Sequence, residues 1–306
     1  MLFQMEKQKI PSKILHEKYL VPPFSVFNTH QPYWKNRMIM WRDMGLCGTN
    51  GRVTGVNGLS YDNRRIDKHK KNYQCNGTST FNPVLTEVIY KWFVVSKGTV
   101  YDPFAGGITR GGIAAVLGLK YRGIDINPIQ VQDNEEKWLK IANKWVIQGS
   151  TEWVCADAVK YSPEEPVDLV FTCPPYYNLE VYSDNPDDLS TKGDYYDFLK
   201  CYARVIENCS FSLKEDSFMV MVVSDVRDKV TTAYYGFVAD TIKLAQIAGL
   251  KFYNEIILYN ETGNLAIVSG DYLDKARKVG RQHQNVLVFY KGNPKNIKDK
   301  FMPICV

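Results

Sequence analysis

Two short runs of residues carry types and spacings that could do chemistry. The first is Thr99-Val100-Tyr101-Asp102-Pro103-Phe104-Ala105-Gly106-Gly107-Ile108-Thr109-Arg110-Gly111-Gly112, in which glycines fall where an apolar strand would turn into a helix. Glycine there permits positive φ and lets a ligand approach the backbone closely. A phosphate-cradling loop would end in Gly-Lys-Ser/Thr, and here Gly111-Gly112 is followed by Ile113. A dinucleotide loop would follow Gly-x-Gly-x-x-Gly, and the interval from Gly107 to Gly111 does not match it. Adenosine recognition without phosphates remains. A carboxylate about twenty residues on, Asp125 in Gly123-Ile124-Asp125, stands where it could accept from both ribose hydroxyls. Asp157 follows the next strand and could accept from an adenine amino group, or could serve as a helix N-cap.

The second run is Cys173-Pro174-Pro175-Tyr176, directly after the apolar stretch Val167 to Thr172. Two prolines fix φ and remove two amide donors, so the turn presents carbonyls without competing local N–H groups. Such a turn can accept hydrogen bonds from an amino group, and Tyr176 offers a flat face on which a base could stack. An accessible, unstacked base is then required.

Together these runs resemble the motifs of the amino-group DNA methyltransferases. Asp102-Pro103-Phe104-Ala105-Gly106-Gly107 is similar to their cofactor motif, and Cys173-Pro174-Pro175-Tyr176 to their catalytic motif, which usually begins with Asp, Asn or Ser. The resemblance spans Phe81 to about Gly292, with the cofactor motif first, as in the family's gamma arrangement. Val21-Pro22-Pro23-Phe24-Ser25-Val26 and Tyr33-Trp34 are similar to a leader of phage-encoded members. The resemblance implies S-adenosylmethionine as cofactor, held by Asp102 to Gly107, by Asp125 and Ile126 at the ribose, by Asp157 and Ala158 at the adenine, and by Thr172. It implies Cys173, Pro174, Pro175 and Tyr176 as the catalytic residues, and sequence-specific double-stranded DNA as the partner, with the target base flipped out. Cys173 is nearer to Ser than to Asp in size and lack of charge, which favours N4 of cytosine over N6 of adenine. RNA as substrate, a C5-cytosine reaction with Cys173 as nucleophile, and an inactive nucleic-acid-binding protein are the alternatives.

The elements needed to position these runs follow from the periodicity. From Phe81 onward helical and strand patterns alternate, which predicts an α/β fold of the Rossmann-like methyltransferase type: a mostly parallel seven-stranded sheet, a terminal antiparallel hairpin and helices on both faces. Helices are expected at Pro83–Phe93, Ile108–Leu117, Asn127–Asn143, Tyr195–Leu213 and Phe237–Ala248. Strands are expected at Gly98–Tyr101, Tyr121–Ile126, near Trp153–Cys155, and at Val167–Thr172, Phe218–Val223, Phe252–Tyr259 and Asn285–Tyr290. The connection Asn260 to Gln284 reads as an irregular polar insertion within a catalytic domain spanning 81–292, followed by a tail over 293–306. Residues 1–80 read as a basic, loop-rich extension with one short helix, Tyr33–Met44. The aromatic face of that helix is expected to pack on the main domain rather than to stack on bases.

The formal charge of +5 is mild, but 13 Lys and Arg against 5 Asp and Glu lie in residues 1–80, leaving a net of −3 for the remainder. Arg64, Arg65, Lys68, Lys70 and Lys71 form one candidate phosphate-contacting cluster; Lys275, Arg277, Lys278 and Arg281 form another. Seven cysteines show no Cys-x-x-Cys pair and no zinc-ligand spacing, so no metal is expected. The absence of a signal-like start and of any 18-residue apolar run predicts a cytoplasmic protein off the membrane, and a homodimer is compatible with the sequence.

Overall fold

A computed structural model of the chain describes residues 12–46, 81–179, 182, 185–263 and 265–304. In chain order the elements are α1 (Ser12–Tyr19), β1 (Val26–Asn28), α2 (Pro32–Asp43), α3 (Pro83–Phe93), β2 (Thr99–Asp102), α4 (Thr109–Val116), β3 (Lys120–Asp125), α5 (Pro128–Ala142), β4 (Ser150–Cys155) and β5 (Val167–Thr172). There follow α6 (Tyr195–Ser212), β6 (Leu213–Val223), α7 (Phe237–Ile247), β7 (Lys251–Tyr259), α8 (Leu265–Ala276), β8 (His283–Lys291) and α9 (Ile297–Lys300).

Local chemistry explains the boundaries. Asn82 and Asn127 each stand before a proline at the first helical turn, and their side chains accept from Leu85 N at 3.0 Å and Ile129 N at 3.0 Å, capping α3 and α5. Asp194 caps α6 by accepting from Asp197 N at 2.7 Å. β5 is buried at every residue, the signature of a strand covered on both faces.

The strands form one sheet in the order β1-β7-β8-β6-β5-β2-β3-β4, parallel except that β8 runs antiparallel to both β6 and β7. Successive residues of the central strands serve two separate cores. Val100, Leu169, Phe171, Val220 and Val286 pack beneath α3 and α4, while Tyr101, Val170, Met219, Met221 and Leu287 pack beneath α6 and α7. This period-two partition places helices on both faces.

Three expectations change. Among the described residues the sheet has eight strands where seven are expected, because Val26–Asn28 joins its edge in parallel register with Ile257, Leu258 and Tyr259. Three residues behind a Pro-Pro pair are too short for a periodic signal. Among its described residues the N-terminal segment carries two helices, α1 and α2, where one is expected, and α2 packs on the main core as expected. Phe27, Trp34 and Trp41 are buried, and the buried carboxylate of Glu87 on α3 receives Arg37 at 2.5 Å and Trp41 Nε1 at 2.8 Å. The connection after β7 is not irregular, since it contains α8, none of whose described side chains is buried. Among the described residues no helix is long and apolar enough to cross a membrane.

Candidate active site

The carboxyl ends of the parallel strands and the start of the antiparallel β8 meet at one edge of the sheet. They open there into a cleft of about 1100 Å³. Both sequence runs reach it, the glycine-rich turn after β2 and the proline turn after β5, because β2 and β5 are neighbours with Tyr101 opposite Val170. Ligands gather at this edge in open α/β sheets, where strand-end loops diverge.

The glycine-rich turn is fixed from behind. Asp102 accepts from Arg110 Nε at 2.5 Å, Tyr121 OH at 2.9 Å, Thr172 Oγ1 at 2.7 Å and Phe104 N at 3.1 Å. Arg110 then donates to the Phe104 carbonyl at 2.6 Å and the Ala105 carbonyl at 3.1 Å, and its guanidinium lies 4.3 Å over the Phe81 ring. Burial alone would lower the Arg110 pKa, but the adjoining Asp102 carboxylate together with Tyr121 and Cys173 outweighs it, so the guanidinium is held in its charged form. Gly106 adopts φ of +53°, donates its N–H to Asp125 at 3.1 Å, and its carbonyl accepts from Asn134 at 2.7 Å. At Gly107 a Cβ would meet nothing within 4 Å, so the turn faces open cleft.

The placement of the expected cofactor residues is therefore mixed. Pro103, Phe104, Ala105, Gly106, Gly107, Asp125, Ile126, Asp157 and Ala158 line the cleft. Asp102 and Thr172 do not; both are fully buried, and Thr172 donates to Asp102, so the pair braces the turn from behind. Asp125 ends β3 and also accepts from Asn127 N at 2.9 Å. Asp157 accepts from Val159 N at 2.9 Å and pairs with Lys160 at 3.1 Å, so it caps its own turn while lining the cleft.

In the proline turn, Pro174 and Pro175 are buried and Tyr176 is half-buried, with its hydroxyl held on three sides. Gln284 Nε2 donates to that hydroxyl at 2.9 Å, the Val222 carbonyl lies 3.3 Å away as its acceptor, and Cys173 Sγ is 3.3 Å distant. Burial, with Cys173 beside it, pushes the Tyr176 pKa well above its ordinary value, so the hydroxyl stays protonated and positions the ring rather than acting as a base. The next residue, Tyr177, takes φ of +52° and inserts between Tyr195, Phe198 and Tyr235, anchoring the turn in an aromatic cluster.

Several lining residues belong to no motif in the sequence. The helix α2 brings Trp34, Lys35, Met38, Ile39 and Arg42 to the cleft, and Lys35 pairs with Glu261 across the rim at 3.5 Å. Gln284, Ser224, Asn260 and Thr262 also line it. Their signal is positional: each lies at the end of β6 or β7, or at the start of the antiparallel β8. Asp225 lines the cleft as well, whereas Arg227 stacks on Tyr234 at 3.8 Å.

The two basic clusters fare differently. Arg64, Arg65, Lys68, Lys70 and Lys71 lie outside the described residues. Lys275 and Arg277 are exposed and Lys278 is half-buried at the end of α8; none of the three lines the cleft, and Lys275 pairs with Asp271 at 2.7 Å. Arg281 separates from them and turns into the cleft.

Residues 167–303, from β5 through α9, match the N6_N4_Mtase family model, described as DNA methylase. No curated protein matches the chain. Among solved structures, TrmN from Thermus thermophilus is 16% identical with a TM-score of 0.43, over 68% of this chain and 48% of its own. NodS, an N-methyltransferase from Bradyrhizobium japonicum WM9 solved with S-adenosyl-L-homocysteine, is 13% identical with a TM-score of 0.40, over 68% and 84%. A DNA modification methylase candidate, also from Thermus thermophilus, is 23% identical with a TM-score of 0.34, over 45% and 51%. Superpositions this loose do not bear on activity.

Proposed function

We propose that this chain, which carries the signature of the N6/N4 amino-methyltransferase family over residues 167–303, transfers a methyl group from S-adenosylmethionine to the exocyclic amino group of a flipped-out base in double-stranded DNA. The observation that carries the reading is that the glycine-rich turn after β2 and the Cys173–Tyr176 turn after β5 open into one cleft from adjacent strands.

The cleft suits the cofactor on its own chemistry. The turn that would hold it has no cation for a phosphate, because Arg110 is spent on Asp102 and the backbone behind the loop. Its lining instead offers open backbone at Gly107, the Phe104 ring, and the strand-end carboxylates Asp125 and Asp157. Each carboxylate oxygen has two lone pairs, so Asp125 can accept from ribose hydroxyls while keeping its bonds to Gly106 and Asn127. When bound, S-adenosylmethionine supplies an electrophilic methyl on a cationic sulfur.

The protein's part is to hold and aim the nucleophile. Carbonyls of the proline turn accept the amino protons and draw the nitrogen lone pair out of conjugation with the ring. Tyr176, fixed by Gln284 and Val222, supports the face of the base. That lone pair would form the N–C bond as the methyl–sulfur bond breaks, with S-adenosylhomocysteine as the leaving product and one N–H proton passing to water. Lys35 and Arg42 on α2, with Lys275, Arg277 and Lys278 beyond the cleft at the end of α8, supply phosphate contacts around its mouth. The cysteine at the first position favours N4 of cytosine over N6 of adenine.

Mass spectrometry of nucleosides from DNA of cells producing the protein tests the proposal. A methylated amino base absent from control cells is expected. C5-methylcytosine as the product, or transfer to RNA but not to duplex DNA in a side-by-side assay with purified protein, would sink it.

A further inference from the structure

Arg281 sits in sequence among surface cations, yet its side chain is only 21% exposed and lines the same cleft as Tyr176. A chain of polar contacts fixes its guanidinium. Glu255 on β7 accepts from Asn285 Nδ2 at 2.7 Å, which turns Asn285 Oδ1 towards Arg281 Nη2 at 2.6 Å. On the other side, Asp225 approaches Arg281 Nη1 at 3.6 Å while accepting from Val238 N at 3.1 Å at the start of α7. The planar fork is thus clamped at both terminal nitrogens. Arg281 Nε–H remains buried with no hydrogen-bond partner among the described residues. Nε is enclosed by protein, so the donors Arg281 offers to the cleft it lines are the second N–H groups on its two terminal nitrogens.

The proline turn and the arginine both line the cleft. Gln284, which positions Tyr176, is three residues from Arg281 at the start of β8. A base with its amino nitrogen at the Cys173–Tyr176 turn presents the rest of its Watson–Crick edge beside it. On cytosine that edge continues with two acceptors, ring N3 and O2. On adenine it continues with one acceptor, N1, and then a C–H.

Building on the methyltransferase reading above, we propose that Arg281 donates to the Watson–Crick edge of the flipped base and selects cytosine as the target of N4 methylation. A guanidinium offers adjacent N–H groups in a rigid plane, which matches two neighbouring acceptors and leaves one donor stranded against adenine. Asp225 and Asn285 act as positioning residues through their hold on Arg281.

The test uses the full chain produced in a host without DNA methylation of its own. Genomic DNA is digested to nucleosides for mass spectrometry, and S-adenosylmethionine binding is measured by calorimetry for wild type, Arg281→Met and Arg281→Lys. The proposal expects N4-methylcytosine from wild type, a loss of at least about tenfold in both variants, and cofactor binding kept within about twofold. Arg281→Lys keeps the charge but loses the fork, so a general electrostatic role predicts its activity is retained, which would count against base reading. N6-methyladenine as the wild-type product, or an undiminished N4-methylcytosine yield in Arg281→Met, overturns the assignment while leaving the methyltransferase reading intact. No methylated base in DNA from wild type overturns both. If neither variant folds, the identity of the wild-type product decides alone.

Discussion

Replacing Asp102 by Asn preserves side-chain volume and removes one charge from the brace behind the glycine-rich turn. The carboxylate is fully buried and accepts from Arg110, Tyr121, Thr172 and the Phe104 amide. An Asn oxygen can keep Thr172 and Phe104, but its NH2 then faces two donors, Arg110 Nε and Tyr121 OH. Arg110 is 4% exposed, so its charge would be left without its counter-ion. Breaking a buried ion pair from one side costs about 3–5 kcal/mol. With an unfolding entropy of about 2.1 cal/mol/K per residue, a chain of this length loses roughly 5–8 °C in Tm. The loop is shaped by the same contacts, so S-adenosylmethionine affinity should fall on the order of tenfold. Scanning calorimetry and isothermal titration read the two effects. The double variant Asp102→Asn with Arg110→Met removes the stranded cation and should regain part of the lost stability. A loss under about 2 °C in the single variant, or a double variant less stable than the single, would refute the assignment of Asp102 as the brace for Arg110.

Other perturbations separate the remaining roles. Tyr176→Ala should lower methyl transfer by roughly ten- to a hundredfold because the base has no ring to stack on, while Tyr176→Phe keeps the ring and should lose only several-fold; equal losses would show that the hydroxyl, not the face, matters. Cys173→Ser should retain substantial activity, because an amino-directed reaction needs no thiolate, and complete inactivation with cofactor binding intact would favour covalent chemistry. Alanine at Lys275, Arg277 and Lys278 should reduce the slope of log K against log salt by about 0.9 for each phosphate no longer neutralised, and an unchanged slope removes that end of α8 from the interface. Burial, reinforced by Arg281, holds the His283 pKa below its ordinary value. The unfolded chain therefore binds this proton first as pH falls, so the stability contribution is complete above about pH 6.5 and is lost as pH drops through the folded value. An NMR titration of the His283 ring with a midpoint at or above about 6.5 would contradict that environment.

What can be read in the sequence is local. Asn82-Pro83 and Asn127-Pro128 announce helix starts, and the structure begins α3 and α5 at those prolines. The uninterrupted apolar run Val167–Thr172 is the doubly covered β5. The two turns can be placed at one edge from the sequence, because a parallel strand must end where its neighbours end. Features that depend on distant partners are not legible. Val26–Asn28 is a strand only because Ile257 to Tyr259 present an unpaired edge to it. The helix α8 buries none of its described side chains, and Ser269-Gly270 breaks its apolar run, so it reads as loop. Asp102 has the composition of a ligand-binding residue, yet Arg110, Tyr121 and Thr172, from three separate elements, enclose it. Arg281 lies among cations in the sequence but, unlike Lys275, Arg277 and Lys278, lines the cleft, because it lies just before β8, which starts at that edge. Residue types and turn chemistry thus determined which motifs could bind and react. Only tertiary packing decided which of their side chains face the ligand and which hold the others in place, since burial and hydrogen-bond partners are set across the sheet rather than along the chain.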